Sequence, residues 1–101
     1  MRKREMSYED YGMTKAEVRY IKEFCRNANE EDKMLIRNAL SDLNPYISPF
    51  IFHSLINCKS YDDITRNNSI YVSKVDFYAY RRKGIESIKR CMILEGKWKM
   101  I

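Results

Sequence analysis

Histidine occurs once in this chain, cysteine three times, glycine three times and proline twice. So little glycine and proline argues against a disordered or low-complexity chain. Cys25, Cys58 and Cys91 contain no close C-x-x-C pair, and His53 stands alone. A structural zinc site needs four ligands in tight clusters, so no metal and no cofactor is expected. The cysteines recur every 33 residues without any recurrence of their neighbours, so they mark no repeat. They are expected to be small, reduced apolar groups of a cytoplasmic protein. A long hydrophobic run is also missing. The longest uncharged stretch, Leu43 to Cys58, has 16 residues and holds both prolines, too short and too polar to span a bilayer. Met1-Arg2-Lys3-Arg4-Glu5 is basic without an apolar stretch behind it, so no signal peptide is expected. Clustered carboxylates are scarce as well. Asp62-Asp63 is the one acidic pair outside the helix starts of residues 1–47, and it reads as a cap, so no enzyme is expected.

What is present fits one small helical domain. Hydrophobic residues make up 45% of the 101, aromatics 13% and charged residues 33%, enough for one compact core. Charge is unevenly spread. Residues 1–65 hold 10 Lys/Arg against 11 Asp/Glu, while residues 66–101 hold 9 against 3. The formal +5 therefore arises in the C-terminal third. A segregated positive field favours a polyanionic partner, nucleic acid before membrane.

Helix signals run along the whole chain. Residues 1–13 read as a flexible polar arm with an aromatic tether, Tyr8 and Tyr11, ahead of Gly12, and residues 14–101 as the helical domain. Thr14-Lys15-Ala16-Glu17 is a capping box, and Val18, Ile21, Phe24, Cys25 and Ala28 follow on one face, giving a helix over 15–28. Asn29 caps a second helix with Glu30, Glu31 and Asp32 in its first turn. Its stripe is Leu35, Ile36, Ala39, Leu40 and Leu43, and Asn44-Pro45 ends it. Ser48-Pro49, read as cap then first helical position, opens a third helix over 49–58. That helix is apolar nearly all round and is expected to be the most buried element, with His53 a core or boundary residue. Ser60-Tyr61-Asp62-Asp63 is a capping box for a short helix over 61–67, and Asn67-Asn68-Ser69 is turn chemistry. Ser73-Lys74-Val75-Asp76 opens the longest helix, over 74–94, with Asp76 as a cap residue rather than an acid. Phe77, Tyr80, Gly84, Ile88 and Cys91 line one side of it. Ser69–Val75 alternates, but it is short and capped at its centre. The expected fold is all-α with about five helices.

A short capped helix, a turn and a long capped helix with a basic outer face is the layout of a helix-turn-helix, here about residues 60–92. The major groove admits one helix, and residues of its first turns reach base edges. Lys74, Tyr78 and Arg82 share a slowly drifting stripe, so Lys74 and Tyr78 are expected at base edges. Arg81, Arg82 and Lys83, with Lys89 on the flank, are expected at phosphates. The amides of Ser60 and Ser73, at helix N-termini, are further phosphate candidates. Trp98, in the tail, fits either a docking or dimer contact or a lid over the core.

Ser60-Tyr61-Asp62-Asp63-Ile64, together with the run from Ile70 through Val75-Asp76-Phe77-Tyr78-Ala79-Tyr80 to Arg81-Arg82-Lys83, resembles the C-terminal helix-turn-helix of sigma factors, which reads the promoter −35 element. It is more similar still to small phage and mobile-element regulators of the late-gene activator type. These carry Phe-Tyr, two residues, then Arg-Arg/Lys on the recognition helix, matched by Phe77-Tyr78 and Arg81-Arg82-Lys83. The likeness covers about residues 48–92. From Ile64 to Ser73 the turn is longer than in sigma factors and lacks their glycine; Ile70 and Val72 can plug the core instead. No promoter-melting region accompanies it. The resemblance implies a sequence-specific double-stranded DNA-binding transcriptional regulator with helix 74–94 in the major groove, and with RNA polymerase or a second copy as protein partners. The alternative is a helical protein–protein adaptor, such as a phage packaging or polymerase-binding component, which reads no bases.

Overall fold

The computed structural model describes residues 6–100; the basic segment Met1–Glu5 and Ile101 lie outside the described residues. A 3-10 turn, Glu9–Tyr11, precedes five α-helices: α1 (Lys15–Arg26), α2 (Glu30–Leu40), α3 (Ser48–Asn57), α4 (Tyr61–Thr65) and α5 (Lys74–Leu94). Every element among the described residues is helical.

Local chemistry sets the boundaries. Thr14 Oγ1 accepts from the Glu17 amide while Glu17 accepts from the Thr14 amide, and Asn29–Asp32 and Ser60–Asp63 repeat the exchange. Each pair satisfies two backbone donors that the first helical turn leaves open. Ser73 caps α5 by accepting from the Asp76 amide. The C-terminus of α5 is a Schellman turn, with Gly96 left-handed at φ 71° and the Lys97 amide bonded to Met92 O at 2.8 Å.

Two expectations for α3 need correction. Ile47, with helical backbone angles, occupies its cap position, so Ser48 and Pro49 already lie in the first turn. Nor is α3 the most buried element. Its buried residues are Ile51, Ser54 and Leu55, whereas Pro49, His53 and Asn57 face solvent. His53 bonds Asn57 through Nδ1 at 2.7 Å on that outer side. α3 and α5 each touch the four other α-helices, but α3 leaves one side open, whereas α5 keeps a buried side along its length. Phe77, Gly84, Ile85, Ile88 and Met92 are its core-facing residues, nearly or fully buried. A Cβ at Gly84 would stand 2.7 Å from Leu40 Cδ2, so any larger residue would oblige the buried Leu40 side chain of α2 to shift, while Ile51 Cγ2 of α3, at 3.5 Å, would be in ordinary contact.

Both ends of the described residues are tied to this bundle. Met13 is buried, Tyr8 and Tyr11 pack on the core, and Arg82 Nε donates to Met6 O at 2.8 Å. The tail folds back over the other end. Lys97 pairs with Asp32 at 3.1 Å and Glu31 at 3.2 Å, and Trp98 meets Tyr20 edge-on at 5.0 Å. Of its two readings, Trp98 takes that of a lid over the core.

Cys25 is buried as a small apolar group, Cys91 is half-buried, and Cys58 departs from that expectation. Burial pushes the Cys25 thiol up to about 12, which makes it inert. Cys58 is exposed and ends α3 at φ 55°, with Ser54 Oγ donating to Lys59 O at 2.5 Å across the turn. A left-handed L-residue costs roughly 1–2 kcal/mol, of which the extra unfolded-state entropy of glycine returns only part. Cys58→Gly is therefore expected to raise stability by about 0.5–1 kcal/mol in a urea titration. A loss of stability would mean that the thiol makes contacts worth more than the strain.

Candidate nucleic-acid interface

Of the residues expected to form a free cationic ridge, most are held by other parts of the fold. Lys74 is 57% exposed and pairs with Asp62 of α4 at 3.2 Å. The Tyr78 hydroxyl accepts from the Tyr61 amide at 3.1 Å, filling an open donor of the α4 first turn. Arg82 is bonded to the arm through Met6 O, and Lys89 forms a 2.6 Å ion pair with Glu17 of α1 and sits 5.5 Å from the centroid of the Trp98 ring. The Ser60 amide, proposed for phosphate, donates to Asp63 at 3.1 Å instead. Ser73 is exposed beside Lys74, and Lys83 lies half-buried on the flank of α5. A ridge standing clear of the bundle is thus corrected to an edge stitched to α4, α1 and the arm. The connection between α4 and α5, residues 66–73, is also longer than the roughly three or four residues of a compact helix-turn-helix.

Three of the expected residues nevertheless meet in one place. Ser60, Tyr78 and Arg81 line a cleft of about 410 Å³ with Arg19, Lys22, Glu23 and Arg26 of α1, Leu55 of α3, and the turn residues Cys58 and Lys59. Its wall carries five cations, Arg19, Lys22, Arg26, Lys59 and Arg81, against Glu23. Glu23 itself pairs with Arg26 at 3.8 Å. The Arg81 guanidinium lies 5.9 Å from the centroid of the Tyr78 ring, and its Nε is shielded from solvent with no hydrogen-bond partner among the described residues. Lys22 is held below the ordinary lysine range, first by desolvation and then by the Arg81 charge. Two like charges pressed together in this way repel, and an anion entering between them relieves the repulsion. Arg19, Lys22 and Arg26 are the contribution that sequence reasoning missed. Their spacing puts all three on one face of α1, a signal hidden because residues 1–65 sum to nearly zero charge.

The Lys89–Glu17 pair has a consequence for pH. Lys89, with the Thr14 amide behind it, holds the Glu17 carboxyl below the usual carboxylate range. A depressed folded pKa gives stability that is complete above the unfolded value of 4.5 and disappears as pH falls through the folded one. Glu17→Gln should therefore be less stable than the parent at pH 7, with the gap closing between about pH 5 and pH 3. A pH-independent gap in thermal melts would assign the loss to packing alone.

Among the described residues, no group of three or more His, Cys, Asp or Glu could hold a metal, and no helix is long and apolar enough to cross a membrane. No family model, curated protein or solved structure matches this chain.

Proposed function

We propose that the chain is a double-stranded DNA-binding transcriptional regulator of the phage or mobile-element type, gripping the duplex by its phosphates along the α1–α5 cleft. The observation that carries this reading is the convergence of Arg19, Lys22, Arg26, Lys59 and Arg81 on one wall, beside the α4–α5 pair. Phosphate contacts fix register and orientation, and sequence is then read by side chains at the open end of α5. There Lys74 and the exposed Val75 offer a cation and an apolar tip to base edges. A basic wall of this kind calls for binding rather than chemistry.

Five phosphate contacts imply a plot of log K against log salt with a slope of about −4 to −5. Fluorescence anisotropy on a labelled duplex, titrated from low to physiological salt, measures it. Binding that ignores salt, or no binding beside a stable complex with RNA polymerase, would instead support the helical adaptor. That second reading draws on Lys74, Arg82 and Lys89 already having partners within the chain.

A further inference from the structure

A second groove, of about 1060 Å³, runs between the arm and the first turns of α1. Its floor is apolar: Met13 and Val18 are buried and Tyr8 is half-buried. Its rim is a row of exposed cations, Lys15, Arg19 and Lys22, which share one face of α1 at helical spacing. Glu9 adds one negative charge on the arm side. The row itself is uncompensated. Lys33, Lys74, Lys89 and Lys97 each meet a carboxylate, whereas Lys15, Arg19 and Lys22 form no ion pair among the described residues. Two acids of their own helix are engaged elsewhere, Glu17 with Lys89 and Glu23 with Arg26. The arm wall is braced before any guest arrives. The Met13 and Tyr11 amides donate to Tyr8 O at 3.0 and 3.1 Å, and Asp10 accepts from the Ser7 amide at 2.8 Å. A wall already in place lowers the entropy cost of docking.

We infer that this groove receives an acidic amphipathic helix of a partner protein, with its apolar face on Tyr8, Met13 and Val18 and its carboxylates along Lys15, Arg19 and Lys22. A helix laid in an apolar groove is a recurrent mode of peptide recognition. Lys15 and Lys22 lie about 10 Å apart along α1, at 1.5 Å per residue. One head group does not answer cations spread over that distance, which disfavours a small anionic amphiphile. Carboxylates at i, i+4 and i+7 of a second helix repeat the interval. Lys22 gains most from them, since desolvation and then the Arg81 charge hold it below the ordinary lysine range. A duplex suits the groove less well. Its phosphates match the row, but it brings no apolar side chain to cover the floor. Arg19 and Lys22 also belong to the cationic cleft, yet the inference does not rest on the DNA reading, because it is tested without nucleic acid.

The test uses the full chain and blocked helical peptides of equal length, each with leucine on one face. Beside that face the first carries glutamate at i, i+4 and i+7, the second glutamine and the third lysine. Methyl NMR shifts of Met13, Ala16 and Val18 report docking in the groove. The glutamate peptide should bind at least about 5-fold more tightly than the glutamine one, since three exposed ion pairs are each weak but add. Lys15→Glu places an acid in the first turn of α1, where the helix dipole favours it, so the variant should fold. It should erase most of the preference for glutamate and improve binding of the lysine peptide. Equal binding of the glutamate and glutamine peptides, shifts away from those methyls, or an unchanged preference in Lys15→Glu would overturn the inference. Decanoate displacing the glutamate peptide at equal concentration would assign the groove to a small amphiphile. Self-association that moves the same methyls as protein concentration rises would assign it to a second copy. Either result would overturn the partner helix.

Discussion

Replacing Lys22 and Arg81 together by glutamine is expected to lower duplex affinity roughly 30-fold near 0.15 M salt and to reduce the salt slope by about 2 units. Each phosphate contact contributes about 0.9 to that slope, so two lost contacts multiply at any fixed salt concentration. These positions lead the ranking because the Arg81 charge acts on Lys22 within the cleft. Arg81 has a shielded nitrogen without a hydrogen-bond partner among the described residues, and Lys22 is held low first by desolvation and then by that same guanidinium. Arg82→Ala provides the contrast. Its Nε is already bonded to Met6 O, so the substitution should loosen the arm and leave the slope nearly unchanged. If Arg82→Ala lowered the slope while the double variant did not, the phosphate track would run along the outer flank of α5 rather than the cleft.

Phe77→Ala is expected to be the costliest single change for stability, at about 3–5 kcal/mol. Phe77 is fully buried, with its ring 5.3 Å from Tyr61 and 5.4 Å from Tyr78. Truncation therefore opens a cavity and removes two aromatic pairs at the point where α4 rests on α5. A chain of this size has about 5–15 kcal/mol in total, so the thermal midpoint should fall by more than about 10 °C. Because α4 has only five residues and cannot persist alone, the Tyr61 amide, which donates to the Tyr78 hydroxyl, should lose its hydrogen-exchange protection. A loss below about 1 kcal/mol would show that neighbouring side chains refill the space.

Much of the helical frame was legible in the residues. Thr14, Asn29, Ser60 and Ser73 each announce a helix start because a short oxygen-bearing side chain answers an open amide, a local event needing no tertiary knowledge. The 74–94 helix and its inner stripe of Phe77, Gly84 and Ile88 follow from spacing alone. Two kinds of fact were not legible. Burial depends on which side of an element its neighbours cover, so apolar α3 leaves Pro49, His53 and Asn57 open although it touches as many helices as α5. Side-chain pairing depends on contacts distant in sequence. Nothing local ties Lys89 to Glu17 or Arg82 to Met6, so their charges looked available. Summing charge over long segments concealed Arg19, Lys22 and Arg26, whereas the same sum taken over one face of α1 would have revealed them.

NMR shift mapping of the labelled protein on titration with a duplex locates the grip most directly. Perturbations should concentrate on Arg19, Lys22, Arg26, Lys59, Ser60, Tyr78 and Arg81, extending to Lys74, and should fade as salt rises. Shifts confined to the Tyr46–Tyr71 face or to Arg90 and Leu94 at the far end of α5, or no shifts at all, would contradict a DNA grip at the cationic cleft.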